Sequence, residues 1–369
     1  MKKILSLLLI LSVLFALCSC GRKYKPQKST DEEARVVMTL SLDGEEYEIK
    51  YELYRALFLA NKSDVDGGDE GVWTGANSAD YINRINEIIT EEAAYIYSAL
   101  HLAEKLDIDV YSSEADDYVD ECITVCVEGD GSGIIGTGSY GKYLGSLKAA
   151  GLNYSVSDLM FRYSYALAEI NEYYLGEENA AVGNLGGALD TSDESVRSFY
   201  YSDECTRVLR AFVSSSLRSR EWAESFRDNL EERADDKSRA LYIINNTTVP
   251  YSELILNNEI TGVIIGKHAM DKAYYIDYTS AAFSIGEGEV SRVATVKGTG
   301  SGDVDGYYVF VSLEKSDSHL EEYKSDIKDA YIENAIGKIL SDISDSLVGS
   351  VTYEDGYESI SHNSISMDP

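Results

Sequence analysis

The sequence predicts an α+β protein: a helical body formed from the N- and C-terminal segments, with a small α+β domain inserted between them. Three observations point to this. Apolar residues recur three and four apart in the first half and again from Leu320 onward, the period of amphipathic helices. Between these stretches the apolar runs are short and separated by turn residues, as short strands require. The last helix has no neighbour in sequence, and an isolated apolar stripe must be buried somewhere; packing back on the N-terminal helices does this.

The elements follow in order. Lys2 and Lys3 precede an apolar run from Ile4 to Leu17, interrupted only by Ser6 and Ser12, and then Leu17-Cys18-Ser19-Cys20 and Gly21-Arg22-Lys23. The run is short for a membrane span and has the flanks of an export signal, so residues 1–19 read as a signal peptide. Residues 20–35 read as a flexible tether. Val36 to Leu42 and Tyr47 to Ile49 flank Asp43-Gly44, a hairpin signal. A helix is expected from Tyr51 to Asn61, a loop from Ser63 to Ser78, and a long helix on Ile85, Ile89, Ile96, Leu100 and Leu106. Ser113 could cap a helix carrying Cys122 and Cys126 on one face, and Ser155 or Ser157 one carrying Met160, Tyr163 and Ile170. Residues 36–190 form the N-terminal helical domain in this reading.

From residue 191 to 316 the expected elements are a capped helix over Ser192–Tyr200, a helix over Glu221–Ala234, and short strands. The strands are Val208–Val213, Leu241–Ile244, Val263–Ile265, Val290–Val296 and Tyr307–Leu313. A helix from Leu320, within residues 317–348, is stopped by Gly349, and the polar tail 349–369 is expected to be disordered.

Composition narrows the function. The chain has 369 residues and a formal net charge of −32. Removing residues 1–19 takes away two lysines and no acid, leaving about −34. Such a charge repels nucleic acids and anionic headgroups. Tyrosine is abundant at 29, against 8 phenylalanines, which suits permissive, half-wet contact surfaces. Cys122, Cys126 and Cys205 remain beyond the signal; a disulfide across one helical turn is strained, so the first two read as buried thiols, and no histidine stands at zinc-ligand spacing. His101, His268, His319 and His362 form no ligand pair, and Asp116-Asp117 and Asp235-Asp236 read as solvated faces. Gly131-Ser132-Gly133-Ile134-Ile135-Gly136 and Gly136-Thr137-Gly138-Ser139-Tyr140-Gly141 match a dinucleotide-binding spacing, but neither follows a strand in a βαβ unit, so both read as loop. No cofactor, metal or nucleotide is expected.

Two resemblances add to this. Leu17-Cys18-Ser19-Cys20 resembles a bacterial lipobox, which implies cleavage before Cys20, a diacylglyceryl group on its thiol, and a mature chain held on the outer face of a membrane in the cell envelope. The order of elements resembles the extracytoplasmic foldases of the SurA and PrsA type, with a parvulin prolyl-isomerase domain beside or inside a helical chaperone body. The similarity is carried by Leu42-Asp43-Gly44-Glu45-Glu46, by 103–110, by 193–200 and by Gly306-Tyr307-Tyr308-Val309-Phe310 through their order, and specifically by Ala281-Ala282-Phe283-Ser284-Ile285-Gly286-Glu287-Gly288-Glu289-Val290-Ser291. It implies a pocket at Arg210, Tyr274, Tyr278, Phe283 and Tyr308. Active parvulins have histidines where Arg210 and Tyr308 stand, and a methionine and a phenylalanine where Tyr274 and Tyr278 stand. The acidic or cysteine position after the second helix has Asp235, Asp236 and Ser238 nearby.

The resemblance therefore implies a membrane-anchored folding factor that binds unfolded or nascent exported polypeptides without nucleotide, its isomerase histidines lost. Two alternatives stay open: an active peptidyl-prolyl isomerase with a rewired pocket, and a ligand-binding lipoprotein. The last class favours repeated β-α alternation in two lobes, which this chain lacks.

Overall fold

The computed structural model describes residues 24–130, 135–179, 183–249, 254–256, 259–268, 272–296 and 305–366. The signal segment, Cys20 and Gly131–Ile134 lie outside the described residues. The protein is α+β and divides into two units. The first comprises residues up to Tyr173 and from Leu340; the second is the inserted stretch Tyr174–Ile339.

In the first unit, β1 (Val36–Leu42) and β2 (Glu45–Lys50) form the expected hairpin. Asp43 and Gly44 both take positive φ, at 54° and 89°, the geometry a two-residue hairpin turn demands. Helix α1 (Tyr51–Asp66) runs straight on from β2 and ends at Gly67, whose left-handed φ of 61° closes the last turn. A 3₁₀ turn (Glu70–Trp73) precedes α2 (Ser78–Lys105). Next come α3 (Ser113–Glu128), α4 (Tyr140–Ala149) and α5 (Tyr154–Leu175). The caps sit earlier than expected: Ser112 Oγ accepts from Ala115 N at 3.1 Å, and Asn153 Oδ1 from Val156 N at 3.0 Å, displacing Ser113 and both Ser155 and Ser157 from that role. Cys122 is buried and Cys126 half-buried, both free; burial pushes the Cys122 thiol up to about 12 and that of Cys126 up to about 11.

The core of this unit includes Tyr54, Leu57, Phe58, Ile85 and Ile89, all nearly solvent-free. Several buried polar groups are matched inside it. Glu52 accepts from Ser29 and Asn153 on one oxygen and from Ser155 on the other. Asn61 Nδ2 lies 3.0 and 2.9 Å from the two carboxylate oxygens of buried Glu92. Arg162 bridges Asp158 at 2.8 Å, Asp116 at 2.6 Å and the Val110 carbonyl at 2.6 Å, so Asp116 is an ion-pair partner rather than part of a purely solvated face.

In the second unit the chain makes β3 (Gly176–Asn179), β4 (Gly183–Gly186), α6 (Asp193–Tyr201), β5 (Cys205–Ser214), α7 (Arg220–Glu231) and α8 (Asp236–Asn246). It continues with β6 (Ile255–Leu256), β7 (Glu259–Ile260), β8 (Val263–Gly266), α9 (Lys272–Phe283), β9 (Ala294–Val296), β10 (Gly306–Ser312) and α10 (Asp317–Glu322). Helix α11 (Lys324–Val348) passes from this unit into the first between Ile339 and Leu340. Four strands form an antiparallel sheet in the order β8-β5-β10-β9. Leu209, Ala211, Val309 and Val311 pack on one side with Ala223, Phe226 and Leu230 of α7 and Ala240 and Ile243 of α8. Val208 and Phe310 pack on the other side with Tyr278, Ala281 and Ala282 of α9.

Several expectations are corrected here. Leu241–Ile244 is helical, not a strand: Asp235 and Ser238 form a capping box, and Ala240 and Ile243 face the sheet three apart. Asp235 is thus a helix cap, and Asp236 pairs with Arg239. Val290–Val296 is a strand only from Ala294, with a single bridge from Val290 to Val311. The Ser291 hydroxyl accepts from Phe310 N at 2.9 Å, so a side chain occupies a ladder position there.

The helix expected from Leu320 is two helices broken at Tyr323; Leu320 and Ile327 pack with Val196, Phe199 and Tyr200 of the second unit, and only the stretch from Leu340 belongs with the N-terminal helices. The tail is ordered over most of its length: β11 (Thr352–Tyr353) pairs with β1, followed by α12 (Asp355–Glu358) and a 3₁₀ turn (His362–Ser364). Its backbone amides find partners on β1, and Ile365 is buried.

Buried His319 donates from Nε2 to the Thr261 carbonyl at 2.8 Å, so Nδ1 accepts from Tyr200 Oη at 3.1 Å. Burial, then the Arg207 charge, pulls it down to about 4. It is neutral in the fold. Its contribution to stability is complete above the ordinary imidazole range and fades as pH falls toward 4. Glu92 has the opposite sense. Burial raises its carboxyl from 4.5 to about 7, so the folded chain keeps a proton that the unfolded chain releases. Its contribution falls as pH rises from 4.5 to about 7 and is flat beyond. Glu92→Gln is expected to leave stability unchanged near the lower limit and to raise it above the upper by on the order of 2 kcal/mol. Urea melts at about pH 4.5 and 8 check this; an equal gap at both would contradict it.

A second prediction concerns Gly306. A Cβ there would lie 2.4 Å from the Val213 carbonyl and 2.5 Å from the Phe212 ring. Gly306→Ala is expected to force the β5–β10 pair apart and cost roughly 1–3 kcal/mol, read as a lower thermal midpoint of the second unit.

Candidate functional site

The site expected from the sequence falls on the α9 side of the four-stranded sheet. Period-two alternation and the antiparallel register decide which side chains meet there. Arg210 is opposite Phe310, and Phe212 opposite Tyr308, so these four share one face. Helix α9 lies across this face and presents Tyr278, whose ring is buried. Tyr278 stands edge-on to Tyr308 at 4.9 Å and 85°, and to Phe310 at 4.8 Å and 86°. Tyr308 and Phe310 are parallel, 5.9 Å apart, and Phe212 adds a fourth ring 4.9 Å from Tyr308. Edge-to-face pairs of this kind contribute about 0.5–1.5 kcal/mol each beyond area burial.

Of the residues expected there, Arg210, Tyr278, Phe283 and Tyr308 come to this face, the last two packed against its core half-buried. Tyr274 falls within α9, and its side chain lies outside the described residues. Cys20 lies outside them also. The sequence reading missed Phe212 and Phe310. Each stands two residues beyond an expected position, so the period-two pattern could have found them. It also missed Asp277, which accepts from Thr295 N at 2.7 Å and pairs with Arg292 at 2.5 Å, fastening α9 to β9.

Chemically, the face is an aromatic stack with one permanent cation beside it. Arginine cannot take or give a proton at neutral pH. Neither His268 nor His319 enters this cluster: His268 N donates to Asn334 Oδ1, and His319 is tied to Thr261 and Tyr200. His101 lies against Tyr47 Oη at 2.7 Å and His362 against Tyr54 Oη at 2.9 Å, both in the first unit. Among the described residues no group of three or more histidine, cysteine or acidic side chains could hold a metal ion, and no helix is long and apolar enough to cross a membrane.

No protein-family model matches the chain, and no curated protein matches it. Among solved structures it is similar to the foldase protein PrsA from Streptococcus pneumoniae, at 14% identity and a TM-score of 0.26, over 84% of this chain and 92% of that one. It is similar to PrsA from Lactococcus lactis at 12% and 0.25, over 87% and 95%, and to PrsA from Bacillus subtilis at 13% and 0.22, over 86% and 93%.

Proposed function

We propose that this chain is an extracytoplasmic folding factor, lipid-anchored at Cys20, that holds unfolded or nascent exported polypeptides without nucleotide and without prolyl isomerisation. The observation that carries the reading is the Tyr278 ring lying across Tyr308 and Phe310. Isomerisation has to lower an amide barrier of about 18–20 kcal/mol by seating the proline ring in an apolar pocket and favouring the twisted amide. Here a tyrosine fills the space between helix and sheet, and Arg210 supplies a fixed charge on the same face. Exposed Tyr111, Tyr173, Tyr201 and Tyr353 support weak, permissive contact with extended chains. The net charge, about −34 without residues 1–19, keeps copies apart and favours basic segments.

On this reading the protein suppresses aggregation of a refolding client but does not accelerate a protease-coupled prolyl-peptide assay. A measurable rate that falls on Tyr278→Ala, with the far-ultraviolet circular dichroism retained, would instead favour the active isomerase. Failure in both assays would favour the ligand-binding lipoprotein.

The anchor has its own test. Wild-type chain expressed in a bacterial host is expected to incorporate labelled fatty acid and to fractionate with membranes. Cys20→Ala is expected to lose both; label retained by that variant would remove the anchor from the proposal.

A further inference from the structure

The ordered C-terminal tail lies on the first unit as an extended peptide would lie on a sheet edge. Strand β2 pairs with β1 from Val36 to Leu42, with a bulge at Val37. On the opposite edge of β1, β11 contributes two residue pairs, Met38↔Tyr353 and Thr39↔Thr352. Glu354 N adds one bond to the Val37 carbonyl at 3.0 Å. Beyond these pairs, side chains stand in for a ladder: Ser350 Oγ accepts from Ser41 N at 2.7 Å, and Thr39 Oγ1 donates to Glu354 at 2.8 Å.

Past β11 the tail crosses an aromatic surface made by Tyr54, Phe58 and Trp73. His362 lies 6.2 Å from the Tyr54 ring and 6.0 Å from that of Phe58, which itself packs on Trp73 at 5.0 Å. Tyr357 meets Tyr54 edge-on at 6.3 Å and accepts a hydrogen bond from Asn86. The covering segment is poor in apolar residues. Among its described residues only Ile365 is a buried aliphatic, and Tyr353 remains 51% exposed. A strand edge beside a buried aromatic floor is thus covered by a polar segment with two ladder pairs.

We propose that residues 351–366 are a displaceable strap over a peptide-binding edge, and that the occupant it yields to is an extended, alternately apolar polypeptide segment added to β1 as a strand. Such a segment could form more ladder pairs than β11 does and could place apolar side chains where the strap places His362 and Tyr357. The strap lowers the apparent affinity of the edge by the fraction of time it is closed. This rests on the folding-factor reading and specifies where that reading's clients bind.

Three forms test it. The chain ending at Ser350 lacks the strap. Gly356→Ala wedges it, because a Cβ there would meet the Val36 carbonyl at 2.1 Å. Thr39→Cys/Thr352→Cys, oxidised, fastens it at a directly paired position. The probes are a labelled synthetic peptide of residues 351–366 and a labelled peptide of alternating valine and lysine, read by fluorescence anisotropy. Both should bind the truncated and wedged forms about tenfold more tightly than the full chain, and the reduced cysteine pair more tightly than the oxidised one. Equal affinity in all forms, or no binding of the 351–366 peptide to the truncated chain, would overturn the strap. If the truncated chain fails to fold, the wedge and the cysteine pair decide alone. Absence of aggregation suppression in open and fastened forms alike, with peptide affinity still gained on opening, would sink the folding-factor reading and leave the strap standing.

Discussion

The second unit depends on the pairing of its two central strands. β5 and β10 run antiparallel in unbroken register from Ser214↔Gly306 to Val208↔Ser312. Because successive side chains alternate, this one register assigns every residue of both strands to a face. Leu209, Ala211, Val309 and Val311 go to the two helices α7 and α8; Val208, Arg210, Phe212, Tyr308 and Phe310 go to α9. A slip of one residue would bury Arg210 under α7 and α8 and turn the aromatic stack away from Tyr278. Gly306 makes the register possible at its end, since only a residue without a Cβ lets the Phe212 ring lie over that backbone.

The first unit is held by a different device. Its hairpin and helices supply an apolar core, but polar side chains inside that core set how its segments meet. Glu52 gathers donors from Ser29 and from Asn153 and Ser155, two segments far apart in sequence. Arg162 does the same with Asp116, Asp158 and the Val110 carbonyl. Buried groups of this kind stabilise little in net terms when matched and cost a great deal when unmatched, so they discriminate against alternative packings more than they add stability. The C-terminal segment joins by the same means: Arg35 donates to the Gly356 carbonyl, and Arg55 to that of Ser366 at 2.7 Å. Its attachment is therefore largely polar, with Tyr357, His362 and Ile365 adding the apolar part.

Function follows from how these devices differ. The aromatic stack under α9 is closely packed, and three titratable groups of the second unit serve structure. Asp277 fastens α9 to β9, Asp235 caps α8, and His319 is neutral between Thr261 and Tyr200. The edge of β1, by contrast, is covered by a segment with few apolar contacts.

The sequence alone determined the elements whose signals are local. The Asp43-Gly44 turn, the helix capped by Ser192 and the long apolar stripe of α2 need only neighbours within a few residues. Arg210, Tyr278, Phe283 and Tyr308 were assigned by the resemblance, and the register of β5 with β10 brings them to one face with α9. What the tertiary structure alone decided were the matters settled by distant partners. Leu241–Ile244 is apolar enough for either strand or helix, and the capping box and the sheet beneath it chose helix. Residues 320–327 bear a stripe that could cover any apolar surface, and α6 of the second unit took it. The tail reads as solvated because its side chains are polar, yet its backbone amides pair with a strand more than three hundred residues away, which no window along the chain can register.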